Sequence, residues 1–283
     1  MFSLLLAAAL TFGDTHAELA YKTAEELVEK HTPRDAGTIR GRIAANFLLD
    51  KASAAGANVK RDVFTASTPR GELTFTNLYS KFVFNPDGEW VILLSHYDTK
   101  SGSKCPGAND GASTSGLLVA IADMISSAEG PFENNLLLVW TDAEESFYSY
   151  GENDGLIGSK HAAKLVKDSG LKVKAVLCLD MLGDKNLNIS IPRNSTPSLS
   201  ALALKCAKKA KVSAKKISEM VRDDHTPFLE LGFPAIDIID FHYGSAKGLN
   251  DYWHTENDTL DKISKKSLKK SGMMVAEMLG NLL

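Results

Sequence analysis

Residues 136–161 read LLLVWTDAEESFYSYGENDGLIGSKH, and this stretch contains both the structural and the chemical pattern of the chain. It begins with an apolar run, 136–140, which has the length and composition of a buried strand. Two adjacent carboxylates, Glu144 and Glu145, follow shortly after the run. Two like charges beside a low-dielectric interior are unfavourable unless a cation is present to receive them. The stretch therefore predicts a buried strand that leads into a cation site.

Three other short apolar runs resemble this strand, and helical patterns lie between them. The apolar runs cover residues 91–94, 175–179 and 235–239. Helical spacing is found at 36–55, 113–127, 159–167 and 198–210, and residues 59–64 and 72–79 alternate as strands do. Near-continuous apolar strands that alternate with helices are typical of a mostly parallel sheet covered on both faces. We therefore predict an α/β fold, a single-domain three-layer sandwich with a central mixed, mostly parallel sheet flanked by helices.

Length and composition agree with one ordinary globular domain. The chain has 283 residues, which is enough to bury a substantial core. Its net charge of -3 and its lack of basic stretches interleaved with aromatics predict no nucleic-acid partner. The lysine-rich segments 205–216 and 262–270 have helical spacing and are predicted to be solvated faces. Three cysteines, Cys105, Cys178 and Cys206, form no C-x-x-C motif, so at least one thiol is predicted to be unpaired.

The N-terminal residues 1–17 are predicted to be a signal peptide. They contain a short apolar core and a Thr-x-Ala site that ends at Ala17, although no Lys or Arg precedes the core. The alternative is an N-terminal helix that packs on the domain. The apolar run is too short to span a membrane. We expect the catalytic domain to cover 18–283 and the protein to be extracytoplasmic, either periplasmic or secreted.

Metal-ligating side chains collect where the predicted strands end. Besides the glutamate pair, they are His96 and Asp98 after the first run, Asp180 at the end of the third, His254 after the fourth, and Asp110 in a glycine-rich loop. Imidazole and carboxylates without a thiolate suit catalytic zinc and several other divalent ions. Taken singly, His96 could be a core histidine and Asp110 a helix cap. Their coincidence at the strand ends, with no basic residue beside them in sequence, predicts a metal site.

Six ordered motifs carry a family resemblance that begins near residue 34 and continues to residue 283. They are SHYDTK (95–100), GANDGAS (107–113), DAEES (142–146), LDMLGD (179–184), DDHTPFLELGFPA (223–235) and YWHTENDT (252–259). Together they resemble the zinc-dependent M28 peptidase clan, and more closely its glutaminyl cyclase branch. The resemblance implies a zinc-exopeptidase-like α/β domain, in agreement with the fold predicted from the pattern of strands and helices.

The resemblance also implies a role for each motif residue. Asp110, Glu145 and His254 correspond to the ligands of the single zinc of the cyclases, and Glu144 to the general acid/base. Asp180 and Asp224 correspond to acids that hydrogen-bond around it. Trp253, Tyr150 and Phe147 are expected to shape the substrate pocket. In the dizinc aminopeptidases of the clan, the positions of His96 and Asp180 hold a second metal that Asp110 bridges, so the motifs leave one or two zinc ions open.

The implied function is conversion of an N-terminal glutamine of a peptide or protein into pyroglutamate, with release of ammonia. The alternatives are a dizinc aminopeptidase and a metal-stabilised binding protein without turnover. A long aromatic stretch between Glu145 and residue 158, and Trp253 directly before His254, favour the cyclase. Two features depart from the animal cyclases, which have a tryptophan at the position of Tyr150 and a disulfide between the positions of Ser95 and Ser115.

Overall fold

An eight-stranded mixed sheet forms the centre of the molecule in the computed structural model, which describes residues 10–245 and 251–283. The strands are β1 (Val59–Thr68), β2 (Gly71–Phe82), β3 (Trp90–His96), β4 (Asn135–Thr141), β5 (Val173–Asp180), β6 (Ile189–Ile191), β7 (Ala214–Lys216) and β8 (Ala235–Ile239). Their order across the sheet is β1-β2-β4-β3-β5-β8-β6-β7. The four predicted apolar runs are the central strands β4, β3, β5 and β8, which are mutually parallel. This confirms the predicted mixed, mostly parallel sheet.

Helices cover both faces of the sheet. They are α1 (Asp14–His31), α2 (Ile39–Ala54), α3 (Thr114–Ser126), α4 (Ile157–Asp168), α5 (Pro197–Ala210), α6 (Thr226–Glu230) and α7 (Lys265–Leu282). Alternate residues of β3 show how the layers form: Leu93 packs in the larger core with α1, α2, α3, α5 and α7, whereas Leu94 packs in a second core with α4 and α6. Because neighbouring strand residues point to opposite faces, a continuous apolar run is required on each central strand.

The N-terminal region includes a helix that packs against the domain. In α1, Ala20, Ala24 and Leu27 are buried, and this face contacts α3 and α7. Of the predicted signal peptide, residues 1–9 lie outside the described residues, and Ala17 is a buried residue of α1. The domain boundary at residue 18 stays a prediction. Within the described ranges, no helix has the length and hydropathy needed to cross a membrane.

All three cysteines are buried and unpaired, which agrees with the prediction of at least one free thiol. At the positions where the animal cyclases carry a disulfide, two serines form hydrogen bonds instead. The Ser95 hydroxyl donates to Thr114 Oγ1 at 2.9 Å, and the Ser115 hydroxyl donates to the His96 carbonyl at 2.7 Å. Polar contacts thus link the end of β3 to the start of α3.

Gly116 sets the distance between α1 and α3. A β-carbon at this position would stand 2.3 Å from the Ala20 carbonyl oxygen of α1. Glycine in a helix interior is normally about 1 kcal/mol less favourable than alanine. The close approach of the α1 backbone explains why glycine is nevertheless found here.

We expect Gly116→Ala to lower the free energy of unfolding by about 1–3 kcal/mol, because the new methyl group meets backbone that cannot rotate away. Urea unfolding followed by circular dichroism measures the change. Gly151→Ala is the control, since its nearest contact would be Ser149 O at 3.8 Å. Equal stability of the two variants would contradict this account of the α1–α3 contact.

Candidate active site

Several of the predicted site residues line one cavity at the carboxyl ends of the central strands. His96 is the last residue of β3 and Asp180 the last of β5, while the glutamate pair follows β4. The cavity has a volume of about 420 Å³. Its lining includes Asp110, Glu144, Tyr150, Asp180, Asp223 and Trp253. In open α/β sheets this edge is where ligands bind, because the loops that leave parallel strands converge there.

Asp110, Glu145 and His254 form a compact group of potential metal ligands. His254 Nε2 lies 2.8 Å from Glu145 Oε1 and 3.5 Å from Asp110 Oδ2. Ligands about 2.0 Å from a tetrahedral zinc stand about 3.3 Å apart, a value that lies between these two distances. Three of their atoms, Asp110 Oδ2, Glu145 Oε2 and His254 Nε2, are buried and have no hydrogen-bond partner in the described protein. Such atoms fit a bound cation.

A second group shares Asp110. It consists of His96, Asp110 and Asp180. His96 Nε2 lies 3.1 Å from Asp110 Oδ1 and 3.2 Å from Asp180 Oδ1. The two oxygens of Asp110 therefore face different groups, which is the arrangement of a carboxylate that can bridge two metals.

The glutamate pair diverges, so that each side chain enters a different environment. Glu145 belongs to the ligand group, whereas the Glu144 carboxylate accepts a hydrogen bond from the Tyr150 hydroxyl at 3.0 Å. The backbone is fixed by Asp98, whose two carboxylate oxygens accept from the amides of Glu144 and Glu145 at 3.1 and 3.2 Å. Ala143, directly before the pair, has a φ of 56°. This left-handed residue makes the sharp turn between β4 and the acids.

The loop that carries Asp110 is held by another buried carboxylate. Asp258 accepts hydrogen bonds from the backbone amides of Asn109 and Asp110, at 2.8 and 3.0 Å, and from the Tyr243 hydroxyl at 2.8 Å. Gly111 has a φ of 91°, and a β-carbon there would stand 2.9 Å from His96 Cε1. Only glycine meets both requirements, so the GANDGAS motif sets the loop geometry as well as supplying the Asp110 carboxylate.

The three predicted pocket aromatics lie in different environments. Trp253 lines the cavity and stacks on His254 with ring centroids 3.7 Å apart. Tyr150 also lines the cavity. Phe147 does not belong to the wall: it is buried in a small core cluster with Phe75 and Ile157. The expectation that Phe147 shapes the pocket is therefore wrong, because the chain turns between residues 147 and 150.

A model of peptidase family M28 matches residues 77–279, which is more than half of the chain. The chain belongs to peptidase family M28. Among curated relatives, glutaminyl-peptide cyclotransferase of Dictyostelium discoideum is 27% identical over 92% of this chain and 87% of its own length. Aminopeptidase YwaD of Bacillus subtilis is 26% identical over 77% of this chain and 46% of its own length.

Comparison with solved structures also finds a glutaminyl cyclase. The glutaminyl cyclase of an Acidobacteriales bacterium superposes with a TM-score of 0.89 and 33% identity, covering 100% of this chain and 98% of its own. The similarity confirms the predicted family, its glutaminyl cyclase branch and the zinc-exopeptidase-like fold. The chain is an M28 enzyme, so the alternative of a binding protein without turnover does not apply.

Burial and mutual repulsion govern the acids of this M28 enzyme. Burial, reinforced by the charge of neighbouring Glu145, raises the pKa of Glu144 well above its ordinary value. Burial also raises the pKa of Glu145 to about 7, and nearby Asp110 acts in the same direction. Asp110 differs: burial raises its pKa, but the hydrogen bond with His96 and the charges of His96 and His254 together outweigh burial and lower the pKa to about 2. A cation among these groups would favour their charged forms.

Asp180 and Asp224 are close to this network but contact other partners than the resemblance implies. Asp180 contacts His96, and Asp224 accepts a hydrogen bond from the Thr141 hydroxyl. In the described part of the chain, the Glu144 carboxylate contacts Tyr150 rather than either aspartate. Asp223 and Asp224 affect Glu144 through their charges, which raise its pKa.

Two basic residues at the M28 site were missed by sequence reasoning. Lys100 Nζ lies 3.6 Å from Glu145 Oε2, although the sequence shows no basic residue beside the pair. Arg34 is fully buried and donates to the carbonyls of Tyr97 at 2.6 Å and Gly107 at 2.6 Å. It therefore joins the segment after β3 to the Asp110 loop. The distance of both residues from the glutamates in sequence concealed these contacts.

We expect Asp258→Asn to weaken zinc binding by about 10–100-fold, because the new amide NH₂ opposes backbone donors that orient Asp110. Competition with a chromophoric chelator measures the affinity. The matched control is Asp261→Asn, since Asp261 is an exposed carboxylate three residues away. If both variants bound zinc as tightly as wild type, Asp258 would have no role in presenting Asp110.

Proposed function

We propose that this M28 enzyme is a zinc-dependent glutaminyl-peptide cyclotransferase. It converts the N-terminal glutamine of peptides or proteins into pyroglutamate and releases ammonia. The observation that carries this proposal is the divergence of the glutamate pair inside a cavity walled by Trp253 and Tyr150. One acid joins the ligand group, and its neighbour stays outside that group, beside the space where substrate binds. The similarity to glutaminyl cyclases over the full chain supports the same function.

One zinc ion held by Asp110, Glu145 and His254 is part of the proposal. The group offers two carboxylates and an imidazole with unpartnered buried atoms. When bound there, zinc would polarise the γ-amide carbonyl of the substrate glutamine and stabilise negative charge on its oxygen. Two further carboxylates hold these ligands in place. Asp98 accepts a hydrogen bond from the backbone amide of Glu145, and Asp258 accepts one from the backbone amide of Asp110.

Glu144 is proposed to carry the proton. The α-amine of the glutamine forms a bond to its own γ-carboxamide carbon, and Glu144 accepts the proton that the amine loses. The carbon–nitrogen bond of the carboxamide then breaks, and Glu144 returns the proton to the departing ammonia. Such a transfer is typically worth about 10²–10⁴-fold in rate. A carboxyl group whose pKa is raised by burial is suited to both accepting and returning a proton.

Trp253 is proposed to hold the substrate in its reactive fold. The residue is 41% exposed, its ring stacks on His254, and it lines the cavity beside the ligand group. The aliphatic part of a glutamine side chain can pack there while the α-amine turns back toward the carboxamide. Holding this geometry makes the reaction intramolecular and correspondingly fast.

A dizinc aminopeptidase is the second candidate, and one observation favours it. His96, Asp110 and Asp180 form a complete second ligand group that shares Asp110 with the first. In this case Glu144 would take a proton from water during hydrolysis of the first peptide bond. The chain is also similar to aminopeptidase YwaD of Bacillus subtilis, which supports this candidate. We further propose an extracytoplasmic, periplasmic or secreted location, as the composition of residues 1–17 suggests.

A Gln-initiated peptide is expected to lose one molecule of ammonia and to remain otherwise intact, whereas a Leu-initiated peptide of the same remaining sequence stays unchanged. Only a side-chain amide of suitable length can place its carbonyl at the metal while the α-amine of the same residue attacks the amide carbon. Mass spectrometry of both peptides after incubation provides the measurement. Release of free leucine, with no ammonia from the glutamine peptide, would establish the aminopeptidase instead.

Glu144→Gln is expected to lower kcat by about 10²–10⁴-fold and to leave the zinc content at one ion per chain, because the amide keeps the shape but cannot accept a proton. Glu145→Gln serves as the matched comparison, with the same chemical change one residue along, and is expected to lose zinc. Elemental analysis and initial rates are measured on both proteins. The assignment of the pair is wrong if zinc is lost from the first variant and retained by the second.

A further inference from the structure

We propose that Tyr150 is a positioning residue for Glu144, and that its hydroxyl fixes the carboxylate in the orientation needed for proton transfer. This inference rests on the proposed function, in which Glu144 carries the proton. The hydroxyl lies 3.0 Å from Glu144 Oε1 and 3.3 Å from Oε2. One donor therefore spans both oxygens of the carboxylate.

The contact restrains a torsion that is otherwise soft. The terminal torsion of a glutamate side chain is broad, so an unheld carboxylate samples many orientations. Among the charged groups that act on Glu144, the carboxylates of Glu145, Asp223 and Asp224 repel it. His96 attracts it by charge, but the His96 ring nitrogens contact Asp98, Asp110 and Asp180. Within the described residues, the Tyr150 hydroxyl is the side-chain donor that contacts both oxygens. Its loss would leave Glu144 without this restraint.

The loop that carries Tyr150 is built to hold the ring in place. The Asp154 carboxylate accepts from the backbone amides of Tyr148 at 2.9 Å and Ser149 at 3.0 Å. From the other side, Lys160 Nζ donates to the carbonyls of Gly151, Glu152 and Gly155 at 2.8, 2.9 and 2.9 Å. Both ends of the loop are thereby anchored through backbone groups, which limits movement of the ring between them.

Gly155 provides the space that the tyrosine ring occupies. A β-carbon at residue 155 would stand 2.4 Å from Tyr150 Cδ1 and 3.1 Å from the Glu144 carbonyl oxygen, and its φ of 71° also favours glycine. Gly151, in the same loop, has no such neighbour, since its nearest contact would be Ser149 O at 3.8 Å. Substitution of alanine for glycine therefore has a different effect at each position. At residue 155 it displaces the tyrosine ring, and at residue 151 it changes the loop without displacing the ring.

Tyr150→Phe tests the hydroxyl and retains the ring. We expect kcat on a Gln-initiated peptide to fall by about 10-fold or more, with KM within about 3-fold of wild type, because a hydrogen bond to a charged group is lost without loss of the cavity wall. Zinc content is expected to remain that of wild type. A KM effect alone would overturn the proposal, since Tyr150 would then be only part of the wall.

A double-mutant cycle separates positioning from loop disruption. Gly155→Ala is expected to lower kcat about 10-fold in wild type but less than about 2-fold in the Tyr150→Phe background, because the ring displacement then has no hydroxyl to move. Gly151→Ala is the matched control and is expected to leave kcat unchanged in both backgrounds. Equal losses from Gly155→Ala in the two backgrounds, together with a kcat of Tyr150→Phe equal to that of wild type, would overturn the proposal, since Gly155→Ala would then act through the Glu144 backbone.

Wild-type turnover distinguishes failure of this inference from failure of the proposed function. If wild type cyclises the glutamine peptide and Tyr150→Phe matches it in kcat, the function stands and Tyr150 has no positioning role. If wild type releases leucine instead, the cyclase proposal fails, and the same cycle is measured on that hydrolysis. An unchanged kcat in Tyr150→Phe overturns the positioning role there as well.

Discussion

The need to balance buried negative charge is the constraint on which this structure depends. Asp110, Glu144, Glu145 and Asp180 all lie at one edge of the sheet, buried where their ionised forms are poorly solvated. Two histidines and Lys100 supply only part of the opposing charge within the described residues. A divalent ion held by the proposed ligand group would supply the remainder.

Buried polar side chains around the site hold its loops in place through hydrogen bonds with backbone groups. Asp98, Asp154 and Asp258 accept hydrogen bonds from backbone amides of the glutamate pair, the aromatic loop and the Asp110 loop. Arg34 does the reverse by donating to carbonyls on either side of the site. Because these contacts fix the main chain, the side chains that bind or react start from defined positions. Left-handed conformations at Ala143, Met181 and His254 show the local strain that such placement requires.

Sequence reasoning found the central strands and the reactive side chains because both have strong local patterns. The runs at β3, β4, β5 and β8 are apolar on both faces, and each is followed by an acid, a histidine or both. It failed for Phe147, which shares its loop with Tyr150 but faces a core cluster. The short strands β6 and β7 have three residues each and carry too little pattern to be recognised. Arg34 was missed because its acceptors are backbone carbonyls, which leave no signature in the sequence.

The sequence by itself determined the α/β class, the family and the acids that are proposed to bind the metal and to carry the proton. Apolar periodicity and motif order are properties of the sequence, so they can be recognised without knowledge of tertiary contacts. Only the tertiary structure decided which neighbours each acid contacts, and that Tyr150 is the aromatic residue that reaches Glu144. The partners concerned, such as Asp110 and His254 or Asp98 and Glu145, are far apart along the chain and meet only when the parallel strands bring their carboxyl ends to one edge. Distance and direction between side chains arise from that packing.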